Sequence, residues 1–357
     1  MTVRVLDPFG AAADPALPSL ALALDPVEVR RAFGRPLPRL AGHDGAVHVR
    51  AVRVTRHKPG RRCVVEYDLA VERPGAPPEA ITLVGKVRAG RFGKSGYRLL
   101  GALREAGFGP DSPDGISVPE PLGTLPAFRM WLQRKVPGRV ATELLAAPGG
   151  ASLARRIAEA AHKVHRAGVP AEKRHTMADE LRILHACLPT VAAGEPRWSG
   201  RLERLLDACA RLGAATPEPA PQGIHRDFYG DQVIVDSDDG RLYLLDFDLY
   251  CAGDPGLDLG NFLGHITEHS LRTRGDPGAL GDVERAMEER FVELAGEGMR
   301  ASVRAYASLT LARHVYLSTR FAERRAITEA LLEQCEARLG LATRPPARAP
   351  AVAAGAI

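Results

Sequence analysis

The stretch that most constrains this chain is residues 223–262, GIHRDFYGDQVIVDSDDGRLYLLDFDLYCAGDPGLDLGNF. Two short apolar runs, Val233 to Val235 and Leu242 to Leu245, flank a turn rich in Asp and Gly, Asp236 to Gly240. That pattern predicts a β-hairpin. Asp227 and Gln232 precede the first strand and Asp246 ends the second. Closing the hairpin therefore brings three oxygen-bearing side chains to one concave edge. Hard oxygen ligands, few in number and with room left for substrate phosphates, are what a magnesium–phosphate site needs.

At 357 residues the chain can bury a large core and divide into two lobes or domains. Its charge balance of +5 comes almost wholly from arginine, with lysine at six positions only. The basic residues are scattered, without a dense run or interleaved aromatics, which argues against a nucleic-acid partner. The five cysteines are odd in number and far apart, so neither a zinc site nor a secreted disulfide framework is expected. The first residues, MTVRVLDPFGAAADP, lack the apolar core of a signal peptide, and no apolar run approaches the ~20 residues of a membrane span. The expected location is cytoplasmic, with no membrane partner.

Read in order, residues 1–24 are Ala- and Pro-rich and are expected to be loosely held. Asp25-Pro26 starts a short helix through Phe33, with Asp capping and Pro in the first turn. His48 to Thr55, Cys63 to Val71 and Ile81 to Val87 read as three successive antiparallel strands. A helix follows from Ser95, then a strand through Phe128 to Gln133, and Pro137-Gly138 marks a lobe boundary. Beyond it the spacing turns helical: Ser152 to Ala167, Met177 to Leu188, Leu202 to Leu212, and, after the hairpin, Asp282 to Ala295, Ala301 to Ser318 and Ile327 to Leu339. The domains expected are 1–24, a small lobe 25–136, a helical lobe 137–341 with the catalytic loop at 223–262, and a disordered tail 342–357.

Three spaced motifs carry a resemblance: His225-Arg226-Asp227 with Gln232 five residues on, Asp246-Phe247-Asp248, and Gly253-Asp254-Pro255-Gly256-Leu257-Asp258-Leu259. Together they resemble the core of the aminoglycoside phosphotransferase and choline-kinase-like family. The resemblance implies an α+β, bilobal, protein-kinase-like fold: a small antiparallel β-sheet lobe and a larger, mostly helical one. It implies an ATP- or GTP-dependent, magnesium-requiring kinase that phosphorylates a hydroxyl of a small metabolite, a sugar or an aminoglycoside-like acceptor.

By the same resemblance Asp227 is the catalytic base, His225 organises its loop, Gln232 and Asp246 hold magnesium, and Asp258 with Asp254 braces the loop. Lys86 would pair with the nucleotide phosphates and Glu105 with Lys86. The residues of the basic turn at Gly60 and Arg61 read either as a cover over the phosphates or as a plain hairpin tip. The resemblance implies that main-chain groups near Gln133 meet the adenine. Gln232 stands where the family has Asn, Asp248 replaces a Gly, and the small-lobe turn is not the glycine-rich loop of kinases. These departures keep a second reading in play, a nucleotide-binding pseudokinase acting as an interaction module. The acidic run Glu268, Asp282, Glu284, Glu288, Glu289 and Glu293 reads either as a solvated helix face or as a cleft for cationic acceptors. His162 and His165 are expected to be structural.

Overall fold

The computed structural model describes residues 3–34, 38–42, 44–90 and 93–341; the expected tail 342–357 lies outside the described residues. The chain divides into two compact units, Met1–Pro137 and Gly138–Ile357.

The small unit is built on a six-stranded sheet. Its elements are β1 (Arg4–Leu6), α1 (Ser19–Ala23), α2 (Pro26–Phe33), α3 (Pro38–Ala41), β2 (Ala46–Lys58), β3 (Arg62–Glu72), β4 (Glu79–Arg88), α4 (Ser95–Leu103), β5 (Ile116–Ser117), β6 (Pro121–Leu125) and β7 (Met130–Arg134). The sheet order is β1-β2-β3-β4-β7-β6. Period-2 alternation explains β3: Cys63, Val65, Tyr67, Leu69 and Val71 are all buried, as one face of a pleated strand must be. In β2 the alternation is broken by an irregularity after Val49, which lets Val49 reach the core with Val52 and Val54. The strands run further than their apolar cores suggest, because backbone pairing continues through the polar tips.

Residues 3–24 correct the expectation of a loose start. β1 adds a parallel edge strand to β2, and Val3, Ala11, Leu17, Leu20 and Ala23 are buried in the small-unit core. The Tyr67 hydroxyl donates to the Ala23 carbonyl at 3.1 Å. The segment's buried residues are spaced irregularly among Pro and Ala, so no amphipathic period marks it. α2 begins as expected, with the Asp25 carboxylate accepting from the amides of Val27 and Glu28 at 2.8 and 2.9 Å.

The large unit comprises β8 (Arg139–Val140), α5 (Ala141–Leu144), α6 (Gly150–Arg166), α7 (Met177–Gly194), α8 (Ser199–Ala215), β9 (Gln222–Ile224), β10 (Val233–Val235), β11 (Leu242–Leu244), β12 (Cys251–Gly253), α9 (Gly256–Arg274), α10 (Gly281–Ala295), α11 (Met299–Arg320) and α12 (Thr328–Arg338). The hairpin forms in the register its turn dictates, Val233 opposite Leu244 and Val235 opposite Leu242, with β8 on its other side. β9 and β12 pair on either side of the loop and hairpin. Helices α9 and α11 approach closely through Gly256, Gly260 and Gly264: a Cβ at Gly260 would stand 2.5 Å from the Tyr306 Cβ and 2.6 Å from the Val303 carbonyl oxygen. No described helix is long and apolar enough to cross a membrane.

Candidate active site

β9 delivers the chain to a loop that three buried groups hold in place. Asp258, in the first turn of α9 and 1% exposed, accepts from the His225 amide at 2.8 Å and the Arg226 amide at 2.7 Å. The His165 imidazole on α6 meets the same carboxylate, Nε2 to Oδ2 at 2.9 Å. His225 in turn donates from Nε2 to the Leu245 carbonyl at 2.6 Å, so its ring ties the loop to the end of the hairpin. A buried carboxylate with three donors is satisfied; with fewer it would be a costly isolated charge.

One turn after Asp258, Asn261 repeats the device. Its amide nitrogen donates to the Phe228 carbonyl at 2.9 Å, and its oxygen accepts from Arg313 of α11 at 2.8 Å. Arg313 also faces Glu180 of α7 at 3.6 Å, and Glu180 is bonded to His175 at 2.6 Å. Burial pushes the Glu180 carboxyl up, but the His175 hydrogen bond and the Arg313 charge outweigh it and hold the group low. Asn261 was not singled out from the sequence. The signal was present: Asp258 and Asn261 are three apart and so share one helix face.

Backbone strain marks the same place. Among the described residues only Arg129, Arg226 and Asp246 lack glycine's freedom yet carry positive φ, and the last two flank the site at 71° and 57°. Such residues persist only where surrounding bonds over-determine them. The Asp258 carboxylate does so at Arg226. Between the ends of the hairpin the Leu245 amide donates to the Gln232 carbonyl at 2.8 Å, which sets Asp246 next to Gln232. Gln232 is 6% exposed, and Asp227 is half-buried at the loop. Asp254 is bonded to the Ser302 hydroxyl at 2.5 Å and the Gly256 amide at 2.8 Å; burial nonetheless raises its carboxyl above the ordinary range.

The small-unit candidates are placed less tightly. Lys86 is half-buried on β4, opposite Trp131 in register and with its ammonium 5.8 Å from that ring. Glu105 is exposed, in the wide turn Arg104–Phe108 that ends the helix. The Gly60 amide is taken by Asp14 at 2.9 Å, which also bonds His57 at 2.8 Å, so this amide does not point at a free phosphate site; Arg61 is exposed. The tip is thus closed by Asp14, from the segment expected to be loosely held. Gln133 is buried on β7, and the amides after it, Arg134 and Lys135, donate to Glu120 and Thr82.

The acidic run does not form one cluster. Glu268 faces Arg272 and Arg324, Glu284 faces Arg338, Glu288 faces Arg300 and Arg304, and Glu293 faces Arg155 and Arg290. Asp282 and Glu289 are exposed. Beside the loop, Tyr229 stacks on His265 with ring centroids 4.4 Å apart, and burial pushes His265 down to about 3.

The model of the phosphotransferase enzyme family known as APH matches residues 95–306. Among solved structures, a choline/ethanolamine kinase family protein from Mesorhizobium loti matches at 17% identity and TM-score 0.51, covering 88% of this chain and 94% of its own. A thermostable mutant of the aminoglycoside phosphotransferase APH(4)-Ia matches at 18% identity and TM-score 0.54, covering 82% and 94%. Spectinomycin phosphotransferase APH(9)-Ia, solved with ADP and spectinomycin, matches at 12% and 0.50, covering 84% and 90%. No curated protein sequence matches the chain. These likenesses establish the kinase-like fold.

Proposed function

The chain belongs to the APH phosphotransferase enzyme family, and from that premise we propose that it transfers the γ-phosphate of ATP to a hydroxyl of a small molecule. The observation that supports this most is the Asp258 carboxylate clamped on the two amides before Asp227. Phosphoryl transfer asks a protein mainly for position and charge, and a base on a rigid loop meets the first demand. Asp227 would orient the acceptor hydroxyl and take its proton. His225 would keep the loop tied to the hairpin through Leu245, with Asp254 and Asp258 bracing it from behind.

The donor set suits a metal of the magnesium kind. Gln232 and Asp246 offer one carboxamide and one carboxylate oxygen from adjacent hairpin ends. Among the described residues no three His, Cys, Asp or Glu side chains gather as a metal cage, and magnesium, which takes one or two protein oxygens plus phosphates and waters, needs none. Gln232 and Asp246 would hold the ion, whose charge on the nucleotide phosphates is what the metal supplies. Gln adds a methylene to the family's Asn, so its oxygen must reach back by about one C–C bond. Lys86 would pair the phosphates from the small unit. Gln133 lies on the strand proposed for the adenine side.

The acceptor we propose is a hydroxyl-bearing metabolite or sugar. The arginine partners of Glu268, Glu284, Glu288 and Glu293 weigh against a polycationic acceptor, which would need unpaired carboxylates. A magnesium-dependent phosphotransfer assay over sugars, amino-alcohols and aminoglycosides tests the proposal. Turnover with one acceptor class is expected, falling by at least about 10²-fold in Asp227→Ala and in Asp246→Ala. Nucleotide binding without turnover on any acceptor would transfer the case to the pseudokinase reading.

A further inference from the structure

Behind the catalytic loop, on the large unit, lies a cavity of about 360 Å³. Its lining includes His162, His165 and Arg166 from the end of α6, Gln222 at the start of β9, Ala295 at the end of α10 and Met299 at the start of α11. The size is that of a small-ligand site. One lining residue bonds to the machinery that fixes the loop, and two more stand close to it in the chain. Gln222 stands three residues before His225 on the strand leading into it. Pro255, also in the lining, lies three residues before Asp258. His165 is itself bonded to the Asp258 carboxylate through Nε2.

The polar atoms here are unevenly used. His165 is 4% exposed, and its Nδ1 has no hydrogen-bond partner; the same holds for the buried Nδ1 of His162. Buried polar atoms without partners are uncommon and call for an explanation in a ligand or water. Both rings pack edge-on to Phe291, at 6.3 Å for His162 and 5.7 Å for His165, which fixes their planes. Arg166 is exposed and appears in none of the ion pairs of the described residues. The lining thus offers a guanidinium, two imidazoles and a carboxamide, no carboxylate, and an apolar wall from Ala295 and Met299.

We propose that this cavity binds a small organic anion, a carboxylate or phosphate head on a short apolar body, and that occupancy stiffens the catalytic loop through His165 and Asp258. The head sits against the Arg166 guanidinium, where a charge-assisted hydrogen bond is strongest, with the Gln222 carboxamide beside it. The body lies on Met299. A ligand that steadies the His165 ring steadies the carboxylate it holds, and with it the His225 and Arg226 amides. The proposal rests on loop geometry and not on the chemistry assigned to Asp227, so it stands or falls separately.

The test uses the full chain with methyl-labelled methionine, titrated with butyrate and, separately, with inorganic phosphate. A saturable shift of the Met299 methyl is expected with butyrate. It should weaken by about tenfold in Arg166→Ala, the loss of one charge-assisted contact, and vanish in Ala295→Leu, which fills the cavity. A saturable response to phosphate alone would also sustain the site and assign it to the phosphate head. A linear or absent shift with both anions, or one unchanged in both variants, overturns the site. Hydrogen exchange of the peptide spanning 222–230 then reads the coupling: slowed exchange at saturating anion sustains it, and unchanged exchange overturns it. Neither readout involves phosphoryl transfer.

Discussion

In the small unit, buried polar groups close turns and strand pairs near themselves in the fold: Asp14 takes the Gly60 amide and the His57 ring, and Glu66 sits between Arg53 and Lys135. In the large unit they converge from four helices on one loop. Asp258 and Asn261 of α9, His165 of α6, Arg313 of α11 and Glu180 of α7 all end at residues 225–228 or at one another. The small unit holds its shape chiefly through an apolar sheet, whereas the large unit spends charge and hydrogen bonds on fixing one short piece of backbone. A polar group that closes a turn can be lost locally; one that converges on a strained loop cannot.

The largest effect that separates the two follows from removing the convergence point. Asp258→Ala strands two amides and the His165 Nε2 in the interior, and breaking a buried charged network of this kind costs about 3–5 kcal/mol. The chain has two tryptophans, one in each unit: Trp131 on β7 and Trp198 ahead of α8. In a Trp131→Phe background, urea unfolding followed by Trp198 fluorescence reads the large unit alone. Asp227→Ala, measured the same way, should stay within about 0.5 kcal/mol of the parent, because Asp227 is only half-buried. Equal losses in the two variants would mean that the loop is held by its own packing and not by the carboxylate.

The same contrast explains what the sequence disclosed. The large-unit site was legible because polar residues at fixed short spacing, Asp227 to Gln232 and Asp254 to Asp258, lie in one stretch whose hairpin turn is also local. Its partners were not: Arg313 and Glu180 lie 52 residues after and 81 residues before Asn261, and no local pattern ties them to it. In the small unit, periodicity located the three strands but not the chemistry. A strand shows which face is buried and says nothing of whether Lys86 meets a phosphate. Residues 3–24 were missed for a different reason, since their buried residues, Val3, Ala11, Leu17, Leu20 and Ala23, are spaced irregularly among Ala and Pro and show no period.

Close packing provides the next contrast, with opposite signs in the two units. Gly260→Ala drives a methyl group against Tyr306 and the Val303 carbonyl oxygen, forcing α9 and α11 apart. Overpacking at a backbone contact costs about 1–3 kcal/mol, more than the helix gains from replacing glycine. Gly101→Ala, inside α4 of the small unit, meets nothing within 4 Å and should stabilise by about 0.5–1 kcal/mol. Single-tryptophan unfolding of each variant checks both signs. A stable Gly260→Ala would show that the two helices can slide apart freely, and the loop's bracing by Asn261 and Arg313 would then lose its rigid base.

The smallest effect belongs to the small unit's local bonding. Asp25 accepts from the Val27 and Glu28 amides, two donors that the first turn of α2 cannot satisfy internally. Asp25→Ala removes that cap and should cost about 1 kcal/mol, while Asp25→Asn, an equally good cap, should cost little. Trp131 fluorescence in a Trp198→Phe background reads the transition. Here the helix has a second anchor, its buried Val29 and Phe33, the latter packed 5.0 Å from the Tyr67 ring. A null result for Asp25→Ala would mean that this apolar face alone sets where α2 begins. A loss confined to the alanine variant would mean that, in this unit, single local hydrogen bonds add modestly and independently. The Asp258 network, by contrast, would fail as a whole.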